Sequence, residues 1–259
     1  MYYNINHFNY CVTSAIKAYS LTQEMYSGKI TGEFGKFKVP QATMSPPKEY
    51  DRTSGFTNCI ELDFLEVYAD YDKEVVFDLP GSLTEEDNLD RLTPIFGEYI
   101  KTQICPDLDK HRLCCLVNND NVKKEINAGK SRTDNFLASM SGAWATLRDE
   151  GVSKEDIIIY MKNSLYGEFE DLDCATTRYY LFRKYKDNIR RIPDRRMPGG
   201  VDAIVVPTPA VDIGLSNSFK MIKPEENQES DSYKACFRVC RLTQVKYPEY
   251  ITVIEYKDE

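Results

Sequence analysis

Residues 178–200 read RYYLFRKYKDNIRRIPDRRMPGG. The stretch holds eight basic residues (Arg178, Arg183, Lys184, Lys186, Arg190, Arg191, Arg195 and Arg196) against two acidic ones, Asp187 and Asp194. Its formal charge is +6 in a chain of −8, so the remainder carries −14. Guanidinium forks match the geometry of phosphate and carboxylate oxygens. The interleaved Tyr179, Tyr180, Phe182 and Tyr185 could stack on bases, as in single-strand binding. On a helix, Arg183, Lys186 and Arg190 share one stripe, and Arg191, Arg195 and Arg196 extend it into a Pro/Gly loop. Two recognition chemistries fit: a nucleic-acid backbone or an acidic protein surface. The plain alternative puts the aromatics in the core and the cations in water. The acidic stretch Glu168, Glu170, Asp171 and Asp173 could also neutralise the segment, in cis or from a neighbouring subunit.

A second constellation is acidic. Glu61 and Asp63 flank Leu62, so on a strand they point to the same side. Paired carboxylates of this kind hold Mg²⁺ in phosphoryl-transfer enzymes. Such chemistry needs a third group, and Asp107 and Asp202 qualify only by residue type. A solvated strand face carries the same residues for no catalytic reason.

Sulfur offers a third. His111 with Cys114, and Cys236 with Cys240, could assemble a Cys₃His zinc site. Neither half has the tight Cys-x-x-Cys spacing, and on strands these cysteines serve equally as small apolar residues. The stretch NAGKSRTDN at 127–135 is rejected as a phosphate loop, because Lys124 stands where that pattern needs glycine. Ser131 and Thr133 read better as a helix cap. His7 and His111 are the chain's two histidines, and neither sits in a recognisable nucleophile motif.

The elements that would position these groups follow from periodicity. Phe8, Cys11, Val12, Ala15, Ile16 and Tyr19 predict a helix over 7–26. Residues 28–40 read as a glycine-loosened strand or hairpin and 40–54, with its prolines, as a loop. Residues 56–68 and 74–79 read as an antiparallel pair, with Ile60, Leu62 and Phe64 opposite the acids. Thr84 followed by Glu85, Glu86 and Asp87 marks a helix start. Pro94 predicts a kink, or a restart capped by Thr93. Residues 112–117 read as a strand and 133–149 as a helix. A further helix runs from Ser153 through Leu165, closed by Gly167, and another continues to Ile189 with Pro193 ending it. Residues 201–206 and 218–222 read as strands, and 234–246 with 250–256 as a hairpin.

The expected fold is α+β, a mixed or antiparallel sheet from the N- and C-terminal regions with a central helical block. The divisions are 1–83, 84–192 and 193–259, the last sharing a sheet with 28–83. The composition is globular, with 42% hydrophobic residues and 18 Tyr among 259 positions. The sequence shows neither a membrane-length apolar run nor a secretion leader. Eight cysteines without an export signal predict reduced thiols in the cytoplasm.

The leading expectation is a non-enzymatic structural or assembly protein, for example of a virion. It would associate with itself or a protein partner through complementary acidic and basic surfaces, without a cofactor. Tyr and Arg are the residues that carry such interfaces. Reversing charge at Arg190, Arg191, Arg195 and Arg196 is expected to spare the fold and abolish association. The alternatives are a nucleic-acid-binding protein using 178–196, and a Mg²⁺-dependent nuclease or nucleotidyl transferase using Glu61 and Asp63. The reading leans against an enzyme because no complete catalytic signature is present.

Overall fold

The computed structural model describes residues 5–26, 28–33, 35–44, 60–128, 131–172, 177–227 and 231–257. In chain order the elements are α1 (Ile5–Tyr19), β1 (Thr31–Glu33), β2 (Lys36–Met44), β3 (Ile60–Tyr68), β4 (Tyr71–Leu79), α2 (Glu85–Tyr99), α3 (Cys105–Val117) and β5 (Lys123–Ala128). They continue as α4 (Arg132–Asp149), β6 (Ile157–Lys162), α5 (Asn163–Glu170), α6 (Thr177–Tyr185), β7 (Ile189–Ile192), β8 (Val201–Pro207), β9 (Val211–Ile222), β10 (Tyr233–Val245) and β11 (Thr252–Lys257). The fold is α+β. Two compact units divide it. The first comprises Met1–Tyr26, Leu83–Asp212 and Thr243–Glu259, and the second Ser27–Ser82 and Ile213–Leu242.

The first unit is organised on a five-stranded mixed sheet of order β5-β11-β8-β6-β7. Its central strands β6 and β8 are buried on both faces. The core on one side joins Phe136, Met140, Trp144 and Leu147 of α4 to Leu165 and Phe169 of α5 and Phe182 and Tyr185 of α6. Phe169 and Phe182 stack at 4.6 Å, and Trp144 meets Tyr185 edge-on at 4.9 Å. Such aromatic pairs add roughly 0.5–1.5 kcal/mol beyond area burial. Gly151, at φ +80°, takes the left-handed conformation that lets the chain turn out of α4.

Elsewhere in this unit Phe8, Val12 and Ile16 form the buried stripe of α1, and Phe8 stacks on Phe96 of α2. Thr84 caps α2 by accepting from the Asp87 amide. Pro94 neither stops nor restarts that helix. Thr93 Oγ1 donates to the Leu89 carbonyl instead of capping a new one, and a π-helical turn at Ile100–Ile104 leads into α3.

The second unit carries two three-stranded sheets, β1-β2-β3 and β4-β10-β9. Gly35, at φ +82°, makes the turn between β1 and β2. A Cβ there would stand 3.3 Å from Arg238 Nη2 and 3.4 Å from Asp72 Oδ2, a close but tolerable approach, so it is the left-handed backbone that favours glycine at position 35. Ile30, Phe37, Val39, Cys240 and Leu242 make the small core beside it.

Several expectations are corrected. Residues 112–117 are helical within α3, because a short apolar run cannot distinguish strand from buried helix. Residues 157–162 are a strand: β-branched Ile157–Ile159 lie inside the sheet between β8 and β7, and Gly167 lies within α5. α6 ends at Tyr185, since Ile189 and Ile192 are pulled into parallel pairing with β6. α1 ends at Tyr19, and β2 runs through Pro40 to Met44, where a loop was expected. β3 pairs with β2 and β4 with β10, so 56–68 and 74–79 are not a hairpin. β10 and β11 likewise fall in different sheets. The proline-punctuated stretch beyond residue 44, Cys59 and Cys174 lie outside the described residues.

Candidate functional site

Three arginines of the basic segment, Arg190, Arg191 and Arg196, are engaged in internal structure. Asp109 on α3 is wholly buried and accepts four hydrogen bonds. Ser20 Oγ (2.7 Å) and Thr22 Oγ1 (2.8 Å) donate to Oδ1, and the Leu21 amide (3.1 Å) and Arg196 Nη1 (3.1 Å) to Oδ2. Arg112, also buried, donates to both hydroxyls at 2.7 Å. The loop after α1 is thereby latched by charges from α3 and from the basic segment. Arg190 completes the latch, donating through Nε to Glu24 at 2.5 Å.

Arg191 is bound in cis by the acidic neighbour segment. It donates to Asn163 Oδ1 at 2.9 and 3.1 Å, lies 3.5 Å from Glu170, and covers the Tyr166 ring at 4.2 Å. Arg183, Lys184, Lys186 and Arg195 remain exposed. The helical stripe expected for Arg183, Lys186 and Arg190 does not form, since Arg190 stands on β7. The charge reversal at Arg190, Arg191, Arg195 and Arg196, expected to spare the fold, would strike the latch at two of these four residues, Arg190 and Arg196.

Glu61 and Asp63 stand on β3, exposed, opposite Thr43 and Gln41 in the register. Asp202 is buried and held by Arg132, whose Nε donates at 2.7 Å and whose Nη1 reaches Glu168 at 2.6 Å. Asp107 lies in the first turn of α3. His111 and Cys114 are on helix α3 rather than a strand, with His111 Nδ1 3.4 Å from Cys115 Sγ. Cys236 and Cys240 are on β10, in the other unit, and Cys240 donates to Asp72 at 3.3 Å. Burial, then this bond, pushes the Cys240 thiol up to about 11. Among the described residues, no group of three metal donors includes Glu61, Asp63, Cys114, Cys236 or Cys240. Cys11, Cys105, Cys114, Cys115, Cys236 and Cys240 are not disulfide-bonded. His7 falls in α1, and its side chain is outside the described set.

The feature that sequence reading missed is the β2–β3 ribbon. Its register runs nine residues, from Lys36↔Tyr68 to Met44↔Ile60, about 30 Å of strand. On β3, eight of the nine residues are exposed. Ile60 is 58% exposed, Leu62 76%, Phe64 61% and Tyr68 73%. These four alternate onto one face, interrupted by Glu66 between Phe64 and Tyr68, and Pro40 lies opposite Phe64 in the register. Glu61 and Asp63 occupy the reverse face. The alternation suggested an inward apolar side, but that side has no covering layer among the described residues of its unit. A second signal was available: Leu65 and Val67 put apolar residues on the acidic side too, unlike a strand with one solvated face.

The apolar patch is therefore Ile60, Leu62 and Phe64, bounded toward Tyr68 by the charged Glu66, Lys38 and Lys36 of the same face. No protein-family model and no curated protein matches the chain. Solved structures do resemble it. A chain of the virus-like particle from Pyrococcus furiosus aligns with a TM-score of 0.58 at 11% identity, covering 97% of this chain and 99% of that one. A chain of the capsid of Cyanophage P-SCSP1u aligns at 0.55 and 8%, covering 88% and 85%. One from Mycobacterium phage Che8 aligns at 0.54 and 13%, covering 84% of each. At such identities the likeness is one of fold: along nearly its full length, this α+β chain is similar in trace to chains of a virus-like particle and a phage capsid.

Proposed function

We propose that this protein is a structural subunit that associates with copies of itself into a closed shell of the virion or virus-like-particle type. The observation that carries the reading is the β2–β3 ribbon, whose apolar patch of Ile60, Leu62 and Phe64 stands uncovered among the described residues of its unit. The occupant that fits is a second copy of the chain, because chains of similar trace are those of a virus-like particle and a phage capsid. Burying a side chain such as Ile60, Leu62 or Phe64 fully on a partner contributes about 1.5–3 kcal/mol, so three suffice to bias association. Arg183, Lys184, Lys186 and Arg195, exposed in the basic segment, are cations available for contact with an acidic partner surface.

Light scattering on a sizing column, with absorbance at 260 and 280 nm, tests this. A large discrete multimer with protein-like absorbance is expected. A monomer at all concentrations overturns the reading, and a monomer that carries nucleic acid favours binding through the exposed cations instead.

A further inference from the structure

One face of the β4-β10-β9 sheet is covered near Asp72 and Cys240 by Gly35 and the small core of Ile30, Phe37 and Val39. From Glu74 to Asp78 it is uncovered among the described residues of its unit, and its charges sort by strand. The register places Asp78 opposite Lys234, Val76 opposite Cys236, Glu74 opposite Arg238 and Asp72 opposite Cys240. Asp72, Glu74 and Asp78 make an acidic row of −3 on β4. Lys234 and Arg238 on β10, with Lys220 on β9, make a basic side of +3. Asp72, Glu74, Ser218, Lys220, Cys236 and Arg238 line one shallow groove, which shows that β9 presents Lys220 to the same side. Ala235, Phe237 and Val239, of the opposite parity on β10, are buried. At the level of Asp72 the sheet is tied by a bidentate pair: Arg238 Nε donates to Oδ1 at 2.8 Å and Nη2 to Oδ2 at 2.5 Å. Both partners remain about two-fifths exposed, so the pair can still meet charge from outside. Val76 is 49% exposed and marks an apolar centre beside Cys236.

We infer that this face is a self-complementary contact between two copies of the chain, related by a two-fold axis parallel to the strands and lying between β4 and β10. The argument is geometric. Rotation about such an axis carries β4 over the partner's β10 and keeps each residue at its level along the strand. Glu74 then faces the partner's Arg238, Asp78 the partner's Lys234, and Val76 the partner's Cys236, twice over in one isologous interface. A two-fold axis across the strands would set acid on acid and base on base. Like charges juxtaposed across an interface are strongly disfavoured, so the segregation selects the axis as well as the partner. A solvated sheet face needs only alternating cross-strand pairs. A face with all its acids on one side and its bases on the other carries more information than that. The inference rests on the shell reading above and adds a second surface, distinct from the β2–β3 ribbon.

The test is a charge-swap rescue with two variants. One carries Glu74→Lys with Asp78→Lys, and the other Lys220→Glu with Lys234→Glu; the Asp72–Arg238 pair is left intact. Thermal melts establish that each is folded. Each alone is expected to raise the concentration for half-maximal association at least tenfold by light scattering. An equimolar mixture is expected to return it to near the wild-type value, because a strongly positive face then meets a strongly negative one. Variants that associate as the wild type does, or a mixture that is not rescued, overturn this contact while leaving the shell reading standing. A wild-type chain that never associates overturns both.

Discussion

Arg196 and Asp109 stand 87 positions apart in the sequence, yet Nη1 of the arginine donates to Oδ2 of the carboxylate at 3.1 Å. The carboxylate is wholly buried, and the guanidinium nearly so. Arg112 shares the same site through Ser20 and Thr22. A charge that looked like part of an exposed binding strip thus belongs to the interior, where it ties the loop after α1 to α3.

Removing the carboxylate should therefore be severe. Asp109→Ala leaves Arg112 and Arg196 buried without their anion, and the loss expected from breaking a buried pair is about 3–5 kcal/mol. Urea unfolding of the purified variant measures it. A loss below about 1 kcal/mol would show that the latch contributes little.

The basic segment should separate into two classes. Lys186→Glu and Arg195→Glu alter exposed side chains and should change stability by no more than about 0.5 kcal/mol. Arg196→Glu places a second carboxylate against Asp109 and should destabilise by several-fold more. Thermal denaturation of the three variants distinguishes them, and equal melting temperatures would contradict the division.

The ribbon should be dispensable for folding and necessary for association. Leu62→Ser with Phe64→Ser removes apolar surface that is already exposed, so the melting temperature should hold within a degree or two. Light scattering should show the multimer lost. A folded variant that assembles normally would remove the ribbon from the interface.

Thiol ionisation should appear at alkaline pH. Burial, reinforced by the nearby Asp109 charge, pushes Cys105 up to about 12 from an ordinary 9.0. The folded state holds this proton more tightly than the unfolded chain. Its contribution is therefore complete below pH 9 and is lost as pH rises from there toward 12. Comparing the pH dependence of unfolding for wild type and Cys105→Ala between pH 8 and 11 isolates it. Parallel curves would argue against the burial.

Much of this protein could be read without coordinates. The Thr84 cap, the α4 stripe of Phe136, Met140 and Trp144, the strand at 201–206 and the α+β class all depend on local signals. Side-chain spacing, cap chemistry and turn residues act within a few positions, so their information is present in any window that contains them. The complementary-charge idea also came from the sequence, because composition alone shows that the basic residues are gathered while the rest is acidic.

Pairing and placement were decided elsewhere. Ile157–Ile159 and RLCCLV are both short apolar runs, and only their neighbours made one a central strand and the other a helix face. β3 and β4 are separated by two residues but join different sheets, because hydrogen-bond partners β2 and β10 compete for them from 16 and more than 150 positions away. Whether Arg196 faces water or a buried carboxylate depends on where α3 lies, and whether Leu62 is core depends on whether any layer covers it. Residue type sets what a side chain can do. The chain's long-range contacts determine which of those possibilities its surroundings allow, and those contacts have no local signature.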